Sequence, residues 1–413
     1  MGAMILANAS ILEAAGRRDG MHVRIDGERI AEVADRPLKA GPGSGDVPVI
    51  DLAGKTLMPG LIDCHVHAMA LVADLSRLER LPMTYVGAHA GKLLEAMLRR
   101  GFTTVRDAGG ADWGLKEAVR LGIINGPRLF IAGLALSQTG GHADLRAPTV
   151  AVDACPCCTL RAGLGRIADG VTEVRRAARD ELRKGADQIK IMASGGIASP
   201  TDPIDATQYS LEEITAIVEE AQAWNTYVMA HAYTPKSISR AVQCGVRTIE
   251  HGNLIDDEAA RLVARHQAFV VPTLVTYEAL GRFGRELKFP EDSLAKLGRV
   301  ADAGLKSLEI CKRHGVRIGH GSDLLGEMHV HQGGEFVIKG EVLSPSEVIA
   351  GATTVNAEIL GRAGELGVVA PDALADLIVI DGDPLKNLAL LGTEGTHLEA
   401  VIKGGAFAVN RLG

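Results

Sequence analysis

The residues with the clearest chemistry lie in the stretch LMPGLIDCHVHAM, where His65 and His67 stand two apart at the end of an apolar run. In an extended strand residues i and i+2 share a face, so both imidazoles reach for one spot while Val66 faces away. That spot suits a metal ion. An isolated HxH is more simply one hydrogen-bonded core imidazole beside one exposed one, so the rest of the chain has to decide.

Further ligand-type residues recur at the ends of other β-rich runs. The runs are LIDCHVH, TTVRDAG, RLFIAG, QIKIMASGG, YVMAHAY, TIEHG, FVVPTL and VRIGHGSD, eight between residues 57 and 365. Run one ends in His65 and His67, run four carries Lys190, run five His231, run six His251, and run eight ends in Asp323. Helical sequence separates them, with legible starts at Ser210 and Glu213, at Thr234 and Pro235, and at Ser344, Pro345 and Glu347. Strands that alternate with helices pair in parallel, and eight of them predict a closed (β/α)8 TIM barrel, with an open doubly wound sheet as the rival. In a barrel all those strand ends meet at one mouth.

Lys190 needs its own account, because an ammonium is no metal ligand. Ile189 and Ile191 would face the helices, which turns Lys190 inward, where burial disfavours its charge and frees the amine to react with carbon dioxide. The carbamate would be an anionic bridge. A lysine neutralised by a neighbouring carboxylate is the plainer alternative.

The two ends of the chain differ from its middle. MHVRIDGERIAEVAD and PVIDLAGK before residue 57, and ADLIVIDGDP and AVIKGGAFAVN after 365, predict strands from both termini that pair into one small β-domain. The expected organisation is therefore 1–56 and 366–413 in that β-domain and 57–365 in the barrel. The 413 residues carry a formal net charge of −7 with no basic block, which argues against nucleic acid or an anionic membrane as partner and for small solutes. No apolar run reaches the roughly 20 residues of a membrane span. The six cysteines form no paired CxxC array, so a reducing, cytoplasmic location is expected. A periplasmic or secreted location would require a removed signal peptide.

PGLIDCHVH, IKIMASGG, MAHAY, IEHG and GSD together resemble the amidohydrolase superfamily, and ADLIVIDGDP resembles the C-terminal segment of its companion β-sandwich. SGGIASPTDPIDATQYS, TGGHAD and GEMHVHQ are most similar to the imidazolonepropionase-related branch, which includes Xaa-Pro and Xaa-Arg/Lys dipeptidases and ochratoxin-hydrolysing amidases. The resemblance implies two divalent ions, zinc by preference. His65, His67 and Asp323 would hold the more buried ion, His231 and His251 the more exposed one, and carboxylated Lys190 would bridge them. Imidazolonepropionase itself lacks the bridging lysine, so Lys190 speaks for two metals. A homo-oligomer is also implied.

The chemistry expected of such a centre is attack by a metal-bridging hydroxide on a polarised carbonyl, with Asp323 as general acid/base. Tyr233 would steady the oxyanion or a substrate carboxylate, His142 would bind substrate, and His329 and His331 would stand on the substrate side. The predicted reaction is cleavage of the amide bond of dipeptides or N-acyl-L-amino acids, including ochratoxin A to ochratoxin alpha and L-phenylalanine. Cyclic-amide hydrolysis and amino-heterocycle deamination are the alternatives the same centre supports, and a non-catalytic metal-binding protein is the third reading. Two features stand outside the pattern. His320 precedes GSD where a small or apolar residue is expected, and the cluster Cys155, Cys157 and Cys158 has no assigned counterpart.

Overall fold

The computed structural model describes residues 2–39, 47–146, 163–199 and 202–412. The CPCC cluster and most of the KAGPGSGDVP connection lie outside the described residues. Parallel strands build the middle of the chain. Leu61–Val66, Phe102–Asp107 and Arg128–Phe130 form one sheet; Gly165–Ile167, Ala135–Ser137, Ile189–Met192, Val228–Ala232, Thr248–His251, Phe269–Val271 and Arg317–Ile318 follow one another in a second.

Backbone hydrogen bonds join the two sheets at both flanks. Asp187 N donates to Ile131 O at 2.7 Å on one side, and Cys64 N donates to His320 O at 2.8 Å on the other. Asn356 reinforces the second junction: its amide group donates to Ile62 O at 2.7 Å and His320 O at 2.8 Å, and its Oδ1 accepts from His320 N at 3.0 Å. The helix Pro345–Ala350 widens into a π-helical turn at Gly351–Val355 just before Asn356. Such turns shift a helix's register without breaking it, and they recur at functional sites.

Two of the sequence expectations are corrected here. The third run is not one strand: Arg128–Phe130 ends early, and Ala135–Ser137 resumes beside Ile189–Met192, so the described residues between 134 and 170 include two short strands rather than only loop. The eighth run is a strand only over Arg317–Ile318; beyond it the glycines at 319 and 321 lie where a side chain would collide with Asn356 and with Val271 and His65. The helix starts stand as expected, with capping boxes at Ser210 and Ser344 and at Thr234, where Ser237 is the reciprocal partner. Among the described residues no helix is long and apolar enough to cross a membrane.

Both termini do enter one sheet. Its order is Ala406–Asn410, Leu398–Lys403, Leu377–Ile380, Thr56–Pro59, Met4–Glu13, Gly16–Asp26 and Arg29–Ala34, with Val49–Asp51 beside Met4–Glu13. Leu377–Ile380 runs antiparallel to Thr56–Pro59, which ties the end of the chain to the segment that leads into the parallel strands. Met4–Glu13 went unforeseen because it is buried almost throughout, so it lacks the alternation that marks a half-exposed strand. The sheet has its own core, including Leu6, Ile11, Val23, Ile25, Leu57, Val379 and Ile402.

One carboxylate pins this sheet to the parallel strands. Asp376, almost fully buried, accepts from Arg128 Nε at 2.7 Å and Nη2 at 3.1 Å, and from Gly404 N at 2.6 Å. Asp376→Ala leaves a partly buried guanidinium and a backbone N–H without their acceptor. We expect a loss of about 2 kcal/mol, below the full cost of breaking a buried pair because Arg128 retains some solvent. Urea denaturation checks it; an unchanged midpoint would remove the clasp from the account.

Candidate metal centre

The site begins with the two histidines that open the sequence argument. His65 lies in the strand Leu61–Val66, and His67 follows its last residue; both are buried. Each ring is held from behind through Nδ1. His65 Nδ1 is 2.7 Å from Glu250 Oε2, and His67 Nδ1 donates to Gly109 O at 2.9 Å. Their Nε2 atoms meet at one carboxylate oxygen, Asp323 Oδ1, at 3.4 and 3.3 Å. The ligand atoms of His65, His67 and Asp323 all lie within 4.8 Å of one another. Two imidazoles and a carboxylate with outer partners on the imidazoles' far nitrogens make a donor set suited to a divalent ion.

His231 and His251 form a second pair beside the first. Their ring centroids are 4.7 Å apart, and His251 is 5.0 Å from His65. His231 Nε2 lies 3.1 Å from Gly195 O, a carbonyl that can only accept, so the proton sits on Nε2 and Nδ1 is left as the free donor atom. His251 Nδ1 meets Thr273 Oγ1 at 2.7 Å. Two positions are strained in the service of this arrangement. His251 has φ +75° and Asp323 φ +52°, left-handed values that non-glycine residues seldom take outside functional sites. At His251 the turn leaves the strand's alternation, which would otherwise put it on the face opposite Glu250.

Protonation states follow from burial and charge. Burial, aided by the charge of Lys190, holds His65 well below the usual imidazole range, and burial does the same for His231 and His251. Neutral rings are what metal ligation requires. His67 goes the other way: burial would lower it, but its contact with Asp323 outweighs that and raises it. Asp323 is lowered despite its burial, through His65, His67 and Lys190. Lys190 is buried, and that burial pushes it down to about 8 against the pull of Glu250 and Asp323. The lowered value raises the fraction of neutral amine, the form that reacts with carbon dioxide.

The remaining sequence candidates divide. His65, His67, Lys190, His231, His251, Asp323, Tyr233 and His142 line one cavity. His142 stacks on His231 with centroids 4.2 Å apart, and Tyr233 stands edge-on to His231 at 4.8 Å. The Tyr233 hydroxyl accepts from Tyr277 at 3.0 Å. His329 and His331 are not brought to this cavity, which corrects their expected place on the substrate side. His329 is buried with Nε2 on Ala70 O at 3.1 Å, and burial lowers it to about 3. His331 lies flat on Phe283 and lines a separate cavity of about 400 Å³. His320 is buried against Phe102 and Phe336, and among the described residues neither of its nitrogens has a hydrogen-bond partner.

Sequence reasoning missed the residues that support the ligands. Glu250 accepts from Arg106 Nη2 at 2.9 Å and from the Thr248 hydroxyl at 2.5 Å, as well as facing His65. Arg106 also donates to Cys64 O at 2.6 Å. A signal was present: Thr248 and Glu250 alternate inward along TIEH, as Thr104 and Arg106 do along FTTVRD.

Three comparisons with known proteins bear on this geometry. The model of the amidohydrolase family matches residues 56–406. Ochratoxinase of Aspergillus niger is 32% identical over 395 residues, covering 91% of this chain and 78% of that protein. A solved amidohydrolase structure shares 54% identity with TM-score 0.96 over 99% of both chains, and a prolidase complexed with N-methylphosphonate-L-proline shares 52% identity with TM-score 0.96 over 99% of this chain and 100% of that one. The chain belongs to the amidohydrolase family. It is a hydrolase acting on amide or peptide bonds, of a family that generally uses divalent metal ions.

Glu250→Gln tests the support of His65. It keeps the shape but weakens the hold on Nδ1 and on Arg106, and we expect zinc affinity to fall about 10- to 100-fold, the range for such outer partners. Chelator competition measures it, and unchanged affinity would contradict the role given to Glu250.

Proposed function

We propose that the protein is a binuclear metal-dependent amidohydrolase that releases an L-amino acid with a free carboxylate from a dipeptide or an N-acyl-L-amino acid. The observation that carries this is the convergence of His65, His67 and Asp323 on one point, with His231, His251 and buried Lys190 lining the same cavity. In this reading His65, His67 and Asp323 would hold one ion, His231 and His251 the other, and Lys190, carboxylated by carbon dioxide, would bridge them; zinc suits the donor set. Divalent ions there lower the pKa of water toward neutrality and polarise the scissile carbonyl.

The chain's own groups do the rest. Asp323 accepts a proton from the attacking water and passes it to the leaving amine. The Tyr233 oxygen already accepts from Tyr277, so its own hydrogen is free to donate to the substrate's carbonyl oxygen or carboxylate. His142, stacked on His231, contacts the substrate. Leu75, Leu145, Leu164, Ile197, Leu280 and Leu325 line the cavity and favour apolar acyl or leaving groups. The ligand named for the prolidase relative, an L-proline phosphonate, supports an L-amino acid leaving group, and the name ochratoxinase supports ochratoxin as a substrate to test. Ochratoxin A, yielding ochratoxin alpha and L-phenylalanine, is included in the proposal.

The same reading takes the two parallel sheets as one closed (β/α)8 barrel over residues 57–365, supported by the bonds at both flanks, and the sheet from 1–56 and 366–413 as the companion β-sandwich. A cytoplasmic location is supported by Cys64, Cys244 and Cys311, the free thiols among the described residues.

A panel of N-acyl-L-amino acids, dipeptides ending in Pro, Lys, Arg and Phe, and ochratoxin A tests the substrate class, each beside its carboxyl-amidated form. We expect turnover of L compounds with a free carboxylate. Activity that ignores both features, or that appears only with cyclic amides or amino-heterocycles, would overturn it. For the proton carrier, Asp323→Asn should lower kcat by about 10²-fold or more with metal content measured alongside; full activity with both ions retained would exclude it.

A further inference from the structure

His142 is held by a buried network that the reaction scheme does not use. Its Nδ1 lies 2.7 Å from Ser199 Oγ, and Ser199 in turn is hydrogen-bonded to Asp202 Oδ1. Asp202 Oδ2 is 3.5 Å from the same Nδ1 and accepts from Gly196 N at 3.1 Å and Gln208 Nε2 at 3.0 Å. Gln208 closes the circle through its Oε1, which accepts from His142 N at 2.9 Å. Ser199, Asp202 and Gln208 are all buried.

Donor counting fixes the ring. A carboxylate only accepts, so the single hydroxyl hydrogen of Ser199 goes to Asp202, and Ser199 Oγ must accept from His142. The proton therefore sits on His142 Nδ1. Nε2 is the remaining nitrogen, and it has no protein partner among the described residues.

Two further features hold the ring in place. A side chain at Gly196 would put its first carbon 2.1 to 2.5 Å from Cε1, Nε2 and Nδ1 of His142, so the ring lies directly against that backbone. Lys296, from the helix Glu291–Ala301, donates to the carbonyls of Gly196 at 3.2 Å, Ser199 at 2.9 Å and Asp202 at 2.7 Å. One ammonium thus fastens the segment that carries all three ring contacts.

We propose that Asp202, acting through Ser199 and fastened by Lys296, is a positioning residue that fixes the tautomer and orientation of His142 so that Nε2 alone is offered to the substrate. The inference rests on the reading of His142 as a substrate contact. It adds that Gly196, Ser199 and Asp202 serve as a mount for that histidine.

A double-mutant cycle on the metal-loaded enzyme tests it, using whichever amide the wild type turns over best. Asp202→Asn and Ser199→Ala should each lower kcat/KM about 10-fold or more, the range for outer partners that orient a functional imidazole. In a His142→Ala background the same changes should cost less than about twofold, because the group they act on is gone. Equal costs in both backgrounds, or no cost in the wild type, would overturn the proposal. A crystal structure of the Asp202→Asn protein gives a readout independent of turnover: the His142 ring should leave its stack on His231, and an unmoved ring would count against the proposal. Should Asp202→Asn fail to fold, Ser199→Ala carries both measurements. Failure of the wild type to cleave any amino-acid amide would sink the substrate reading while leaving the ring position as the test of the mount.

Discussion

A single buried ion pair, Glu250 with Arg106, holds the parts of this site in register. Both side chains are wholly buried, and the contact is 2.9 Å. Burial of two charges costs several kcal/mol per ion and is offset only when every polar atom is satisfied. Here the partners come from different strands. Arg106 reaches Cys64 O and Tyr227 and Thr248 hydroxyls, while Glu250 reaches His65 and Thr248. The pair therefore links three strands, and Tyr227 at the entry to a fourth, beneath the proposed metal ligands, and its pull fixes which nitrogen of His65 is turned toward Asp323.

Above that layer the ligands are placed by departures from regular structure. Asp323 and His251 sit at left-handed backbone positions, and so does Thr273, which meets the His251 ring. Such conformations cost of order 1–3 kcal/mol each. They persist because neighbouring backbone is tied down: Asp323 N donates to His65 O at 2.8 Å, and Gly252 N donates to Ala232 O at 3.0 Å. The left-handed positions of His251 and Asp323 accompany side chains that line one cavity, while Thr273 holds the His251 ring.

Much of this was legible in the chain. The HxH spacing, the inward-facing Lys190 between two isoleucines, and histidine or aspartate at later strand ends rest on side-chain alternation, a local property that sequence carries directly. The pairing of both termini in one sheet was likewise readable from their alternating segments. What was not legible depended on distance. His329 and His331 share the HxH spacing of His65 and His67, yet they lie in the 3₁₀ turn Gly326–His331, where residues two apart do not share a face. The first strand hid because it is covered on both sides. Glu250 and Asp202 carried no local mark of Arg106, His65 and His142, the distant partners that give them their roles.

The central claim is that six side chains from five strand ends hold two ions. Diffraction from zinc-loaded crystals, recorded on both sides of the zinc absorption edge, tests it most directly. The account predicts two anomalous peaks, one bound by His65, His67 and Asp323 and one by His231 and His251, with density extending from Lys190 Nζ between them. A single peak, or two peaks with an unmodified lysine lying apart from both, would contradict it.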